Sequence, residues 1–250
     1  MTTLLVDIGN TRVKWALLRG QRVGPSHAMA HDGRTTAIAA LPRRVSRTVT
    51  RVVAVSVAGR KLDAALARAA RQRFGVRVEF VRSAETAAGV TNGYKEVWRL
   101  GADRWVGALG AHALARGGDV LYAMAGTALT IDLVTASGRH RGGAIIPGAA
   151  TMVASLLTGT QGIRRRARGL RPSTRVLFAA DTASALAAGS EYAAAAFIDR
   201  AVEEATRTLG ARPLVLLSGG GAASLRPRLK HPVRLVPDLV LRGLAEYARR

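Results

Sequence analysis

Leu4-Leu5-Val6-Asp7-Ile8-Gly9-Asn10-Thr11-Arg12-Val13-Lys14-Trp15-Ala16-Leu17-Leu18 opens the chain with a buried strand, a tight Gly-Asn turn and an alternating strand that returns beside the first. The same pattern recurs in Val120-Leu121-Tyr122-Ala123-Met124-Ala125-Gly126-Thr127-Ala128-Leu129-Thr130-Ile131-Asp132-Leu133-Val134, with Gly126-Thr127 at the turn. The two hairpins lie about half of the 250 residues apart, which predicts two similar lobes rather than a short-period repeat. The spacing puts one lobe at 1–114 and the other at 115–250.

Working outward, Arg51 to Val57 reads as a strand, Lys61 to Phe74 as an amphipathic helix, Arg77 to Val81 as a strand and Asp103 to Arg116 as a helix. Beyond the second hairpin, Gly143 to Gly148 is a strand running into a turn, and a helix covers Ala149 to Leu157. The Arg-rich Gly162 to Arg175 reads as exposed. Thr182 to Leu209 reads as long helix, Pro213 to Leu217 as a strand and Val240 to Ala248 as a terminal helix. This alternation predicts an α/β fold.

Composition narrows the function classes. The chain is 48% hydrophobic, enough for one large core or two modest ones. It has no cysteine, hence no disulfide or thiolate metal site, and its N-terminus lacks the basic n-region of a signal peptide. Gly142 to Gly162 is too broken by Gly, Thr, Ser and Pro147 to span a membrane. A cytoplasmic protein with no membrane association is expected. The 38 basic and 16 acidic residues give a net charge of +22, almost all of it from Arg. Such a field attracts anions without choosing among nucleic acid, acidic surfaces and phosphorylated metabolites.

Four segments carry candidate chemistry. In Asp7-Ile8-Gly9-Asn10-Thr11 a carboxylate at a strand end faces a turn whose backbone N–H groups can approach a phosphate, and Asp7 can hold Mg²⁺ directly or through water. The string alone equally fits an ordinary hairpin. Gly126-Thr127 offers backbone donors and a hydroxyl. Ser218-Gly219-Gly220-Gly221 follows an apolar run and fits either an adenosine-binding turn or a plain strand-to-helix turn. The fourth, Asn92-Gly93-Tyr94-Lys95-Glu96-Val97-Trp98-Arg99-Leu100-Gly101-Ala102-Asp103-Arg104-Trp105, combines an acid, a cation and an aromatic ring. A kinase acting on an alcohol needs a carboxylate to take the hydroxyl proton, and an acidic substrate needs a cation. Asp103 and Arg104 offer both, though an Asp near a helix start also serves as a cap. P-loop, dinucleotide-fingerprint and His-Glu-x-x-His signatures are absent.

Taken in order, Asp-x-Gly-Asn-Thr, Tyr before Leu-Gly-x-Asp-Arg-Trp, Gly-Thr-Ala and Gly-Gly-x-Ile-x-Pro-Gly make the chain resemble the type III pantothenate kinases, a branch of the acetate and sugar kinase, chaperone and actin superfamily. The resemblance runs from Asp7 to Gly221. It implies two ribonuclease-H-like lobes with an ATP cleft between them, a homodimer, and transfer of the ATP γ-phosphoryl group to pantothenate in coenzyme A synthesis. Carried over by position, Asp7, Ile8, Gly9, Asn10, Thr11, Arg12, Val13 and Lys14 line the ATP phosphates and Mg²⁺, with Gly126, Thr127, Gly219 and Gly220 also on ATP. Asp103 becomes the proton acceptor. Tyr94, Gly101, Ala102, Asp103, Arg104 and Thr182 hold pantothenate, Thr182 from the neighbouring subunit.

The chain departs from the family pattern at Met124, where many members place an Asp that helps bind K⁺ or NH₄⁺; a thioether does not replace that ligand, and little dependence on K⁺ is expected. The Arg-rich 164–171 segment replaces a usual Leu-Pro segment. Histidines 27, 31, 112, 140 and 231 show no ligand spacing and read as structural or exposed. The competing readings are another small-molecule kinase of the superfamily and, from the +22 charge, a nucleic-acid-associated regulatory protein on a kinase-like fold.

Overall fold

The computed structural model describes residues 1–249. In chain order it contains β1 (Thr2–Ile8), β2 (Arg12–Arg19), β3 (Arg22–Val23), β4 (His27–Ala30), α1 (Thr35–Ala40), β5 (Arg51–Ser56), α2 (Arg60–Phe74), β6 (Val78–Phe80), β7 (Thr86–Ala87), β8 (Val90–Thr91) and α3 (Ala102–Ala115). There follow β9 (Val120–Ala125), β10 (Ala128–Val134), β11 (His140–Pro147), α4 (Ala149–Gly159), α5 (Gln161–Ala167), α6 (Thr182–Leu209), β12 (Leu214–Ser218), α7 (Ala222–Leu225), β13 (Arg234–Leu235) and α8 (Leu239–Ala248).

Two compact units result. The first takes Met1–Gly117, Val134–Arg141 and the segment from Asp238 onward; the second takes Gly118–Leu133 and Gly142–Pro237. The division therefore differs from a single cut after residue 114, and the reason is α8. It packs on α3, where a Cβ at Gly243 would stand 1.8 Å from the Val106 carbonyl oxygen and one at Gly110 2.6 Å from that of Leu239. Only glycines allow the two helices this approach, and the apolar face of α8, with Leu241, Leu244 and Ala245, is buried there.

Both units are α/β and share one strand order. The first sheet runs β3-β2-β1-β5-β6, with β4 also pairing β2; the second runs β11-β10-β9-β12-β13. In the first, β1 is antiparallel to β2 and parallel to β5. Each sheet thus places its first strand centrally, its hairpin partner on one side and a parallel strand on the other, as expected for ribonuclease-H-like lobes.

Residues 4–8 read as a near-continuous apolar run because β1 is covered on both faces. Leu4, Val6 and Ile8 join Ile38, Leu41, Leu62 and Leu66 in one core, while α8 covers the strand from the other face. In the second unit Leu121, Ala123, Leu129 and Ile131 pack against Ala194, Ile198, Val202 and Ala205, a helical stripe of α6. That helix starts at Asp181, whose carboxylate accepts from the Ser184 N–H at 2.9 Å, and ends at Gly210 in the left-handed conformation.

Two regions elude periodicity. Residues 22–44 form β3, β4, α1 and a 3₁₀ turn, elements of two to six residues too short for a pattern to register. Residues 161–167, expected only to be exposed, form α5, and all of 182–209 is one helix. Among the described residues no helix is long and apolar enough to cross a membrane.

Candidate active site

In the first unit the β1–β2 hairpin sets Asp7 directly across from Lys14, and Gly9 donates its N–H to the Arg12 carbonyl at 3.0 Å to close the turn. Ile8 and Val13 are buried and anchor the hairpin; Asn10, Thr11 and Arg12 are exposed at its tip. The Asp7 carboxyl is pushed up to about 7: burial is the largest cause, Lys14 opposes it, and the charge of Asp103 adds to the rise. Asp7 therefore feels both Lys14, its partner across the hairpin, and Asp103, distant in sequence, within this unit.

Asp103 sits in the first turn of α3, where the helix dipole favours a carboxylate. Its Oδ1 accepts from the Arg104 N–H at 2.8 Å, and a Cβ on Gly101 would come within 2.9 Å of it. Gly101, Ala102 and Asp103 are half-buried. Arg104, only 4% exposed, donates from Nη1 to the Tyr94 hydroxyl at 2.7 Å, with its guanidinium 5.5 Å from the centre of that ring. The Tyr94 ring is in turn 6.0 Å from that of His140. The acid, cation and aromatic ring expected from residues 92–105 are thus gathered. Trp98, in the same segment, is 70% exposed, with Arg99 stacked 4.5 Å from its ring.

His31 is the participant that sequence spacing missed. Fully buried, it accepts the Gly33 N–H at Nδ1 (3.0 Å), so the proton lies on Nε2, which donates to the Gly9 carbonyl at 2.7 Å. The backbone N–H of His31 also donates to the Thr11 carbonyl at 2.9 Å. The loop after β4 thereby braces the candidate phosphate turn. No motif signals this, because the contact bridges elements whose pairing is set only on folding.

In the second unit Gly126 donates to the Ala128 carbonyl at 2.9 Å, closing the β9–β10 turn. Gly219 and Gly220 lie beside it because β12 runs parallel to β9, pairing Ser218 with Met124. Gly219 has φ +96° and a Cβ there would stand 2.3 Å from the Ala125 carbonyl oxygen. Gly148, after β11, donates to the Thr127 carbonyl at 2.9 Å, and Thr151 donates its hydroxyl to the same oxygen at 2.6 Å. Three turns rich in glycine therefore meet around residues 125–127. Thr182 occupies the first position of α6.

For a divalent cation the fit is good: two hard carboxylates interact in the first unit, one of them carrying a raised pKa that a cation would relieve. Among the described residues no group of three or more His, Cys, Asp or Glu side chains is placed to hold a metal ion. Met124, on β9, presents a thioether rather than an anionic oxygen.

Comparison with known proteins supplies the family. Residues 3–204 match the family model described as type III pantothenate kinase. A type III pantothenate kinase of Nitrosococcus oceani is 36% identical over 256 aligned residues, covering 98% of this chain and 93% of that protein. One from Xanthomonas campestris pv. campestris is 39% identical over 250, covering 99% and 98%. Among solved structures, the ethanolamine utilization protein EutJ of Carboxydothermus hydrogenoformans superposes with TM-score 0.58 at 12% identity, covering 99% of this chain and 90% of the other. The ROK hexokinase of Thermus thermophilus gives 0.51 at 15%, covering 100% and 99%. These two show a shared fold. Matched along nearly its whole length by such relatives and over residues 3–204 by the family model, the chain belongs to the type III pantothenate kinase family.

Proposed function

We propose that the protein transfers the γ-phosphoryl group of ATP to the hydroxyl of pantothenate, giving 4′-phosphopantothenate and ADP, the first step of coenzyme A biosynthesis. Family membership supports the reaction, and one observation carries the residue roles: Asp7 lies within electrostatic reach of both Lys14 and Asp103, the latter adjoining Arg104, which Tyr94 holds.

Asp103 accepts the proton of the pantothenate hydroxyl as that oxygen bonds to the γ-phosphorus; the bond to the β,γ-bridging oxygen breaks and ADP leaves with the electron pair. Arg104, held by the Tyr94 hydroxyl, anchors the substrate carboxylate in a fixed direction. Gly101 and Ala102 shape the helix start beside it, and Thr182 contributes a hydroxyl to pantothenate. The turn from Ile8 to Val13 lines the phosphates, with donors at its exposed tip Asn10 and Thr11, and the Lys14 ammonium binds phosphate oxygens; Gly126, Thr127, Gly219 and Gly220 bind nucleotide in their own unit. Magnesium, when bound, neutralises phosphate charge, and Asp7 would hold it directly or through water. No monovalent-cation step involves Met124.

We further propose a homodimer. Helix α4 is apolar in sequence yet has no buried residue, and Val176, Leu177 and Phe178 are 59%, 45% and 93% exposed, a patch that a second copy would cover. A cytoplasmic setting follows from the cysteine-free sequence and the reaction.

The test is a coupled assay of ADP release with and without pantothenate, with a panel of other alcohols. Pantothenate-dependent ADP release is expected. Release driven better by another alcohol, or ATP hydrolysis indifferent to pantothenate, would refute the reading.

A further inference from the structure

The +22 charge is not spread evenly among partners. Arg51, Arg200, Arg207, Arg228, Arg242 and Arg249 each pair with a carboxylate. A group in the first unit does not. A cavity of about 560 Å³ is formed by α1, the 3₁₀ turn Leu41–Arg44, the loop after it and α2. Four guanidinium groups line it: Arg43 and Arg47 from the turn and loop, Arg68 and Arg73 from α2. Thr35, Thr36 and Gln72 add neutral donors, Ala39, Pro42, Ala65 and Ala69 form the apolar floor, and no lining residue is acidic.

The helix supplies this face by its period. Ala65, Arg68, Ala69 and Gln72 recur at intervals of three and four, so small residues leave space on the stripe that Arg68 borders. Arg43, Arg47 and Arg68 make no ion pair or side-chain hydrogen bond among the described residues. Arg73 has a buried Nε with no hydrogen-bond partner, and its Nη2 reaches only the Val45 carbonyl at 3.5 Å. A buried donor left unmade is costly, and four like charges around one concavity repel, so the empty arrangement lacks a counter-charge.

We propose that this cavity binds a compact polyanion carrying two or more phosphate groups. Guanidinium forks match phosphate oxygens two at a time, and four of them exceed what a single carboxylate requires. The volume fits a small ligand rather than a track along a surface. No aromatic ring lines the cavity, so no platform exists on which the bases of a single-stranded nucleic acid would stack. The lining shares no residue with Asp7–Lys14 or Asp103, which makes this a second anion site, independent of the kinase assignment.

The probe is inorganic tripolyphosphate, titrated calorimetrically at low salt into the whole chain without nucleotide, since an ATP analogue is itself a triphosphate and would occupy the cavity. Binding at the cavity is expected to be the part lost when Arg43 and Arg68 are replaced, with affinity falling as salt rises. In Arg43→Gln/Arg68→Gln, whose changed side chains are exposed, Kd is expected to rise about tenfold or more while kinase turnover and melting temperature stay unchanged. Should that variant fail to fold, Arg47→Glu serves in its place. An absence of binding in the native chain, an unchanged Kd in the variant, or stronger competition by a short oligonucleotide than by ATP would each overturn the proposal. If a non-hydrolysable ATP analogue fails to bind the native chain in a separate titration, the kinase reading suffers, while the comparison between native chain and variant still decides this site.

Discussion

The Nε2–H of His31 lies 2.7 Å from the carbonyl oxygen of Gly9, fastening the loop after β4 to the turn between β1 and β2. Because Nδ1 is occupied by the Gly33 N–H, the imidazole can only donate at this contact. His31→Ala leaves the Gly9 oxygen and the Gly33 N–H without partners, at an expected cost of about 1–3 kcal/mol in unfolding free energy. KM for ATP should rise more than kcat falls, and His31→Gln, which keeps a donor and an acceptor, should recover part of both. Denaturant melts and steady-state kinetics read the two quantities; equal kinetics in all three proteins would remove His31 as a brace.

The raised Asp7 pKa sets a pH window. An acid with a folded pKa of about 7 against an ordinary 3.8 binds its proton more tightly when folded, so its ionisation costs stability as pH rises from about 4 to 7, and the cost is fully present above 7. Asp7→Asn should therefore be more stable than the native chain above pH 7, by about 2–4 kcal/mol without nucleotide, and equal to it near pH 4. The same variant should lose Mg·ATP affinity. Melting curves across pH with and without Mg·ATP test both; a stability difference constant with pH would contradict the assignment.

Asp103→Asn keeps the shape of the α3 start but cannot take a proton. Turnover should fall about 100-fold or more while ATP affinity changes little. Near-native turnover in a pantothenate assay would exclude Asp103 as the base.

Met124 lies on β9 beside Ser218 and offers no anionic oxygen. Rates in Na⁺ and K⁺ buffers of equal ionic strength should agree within about twofold, since hard monovalent ions gain little from a thioether. Met124→Asp should acquire stimulation by K⁺. A strong K⁺ requirement in the native chain would show that other groups supply the site.

Much was legible along the chain. Leu4 to Leu18 announced β1, its turn and β2 because strands covered on both faces read as apolar runs, Leu4, Leu5, Val6 and Ile8 in β1 and Val13, Trp15, Ala16 and Leu18 in β2. The long helices α2 and α6 were visible because their apolar stripes repeat over several turns. Residues 22–44 were not, since their elements are shorter than the periods that would reveal them, and that stretch supplies both His31 and half of the arginine-lined cavity.

By itself the sequence determined the hairpin used twice, the α/β class, the motifs that fix the family and the charge that draws anions, all local patterns set by backbone period and side-chain type. Tertiary structure alone decided that α8 returns to the first unit, that Asp103 raises the proton affinity of Asp7, and that His31 holds Gly9. Those relations join residues distant along the chain, and burial, electrostatic reach and hydrogen-bond geometry exist only once packing has brought them together.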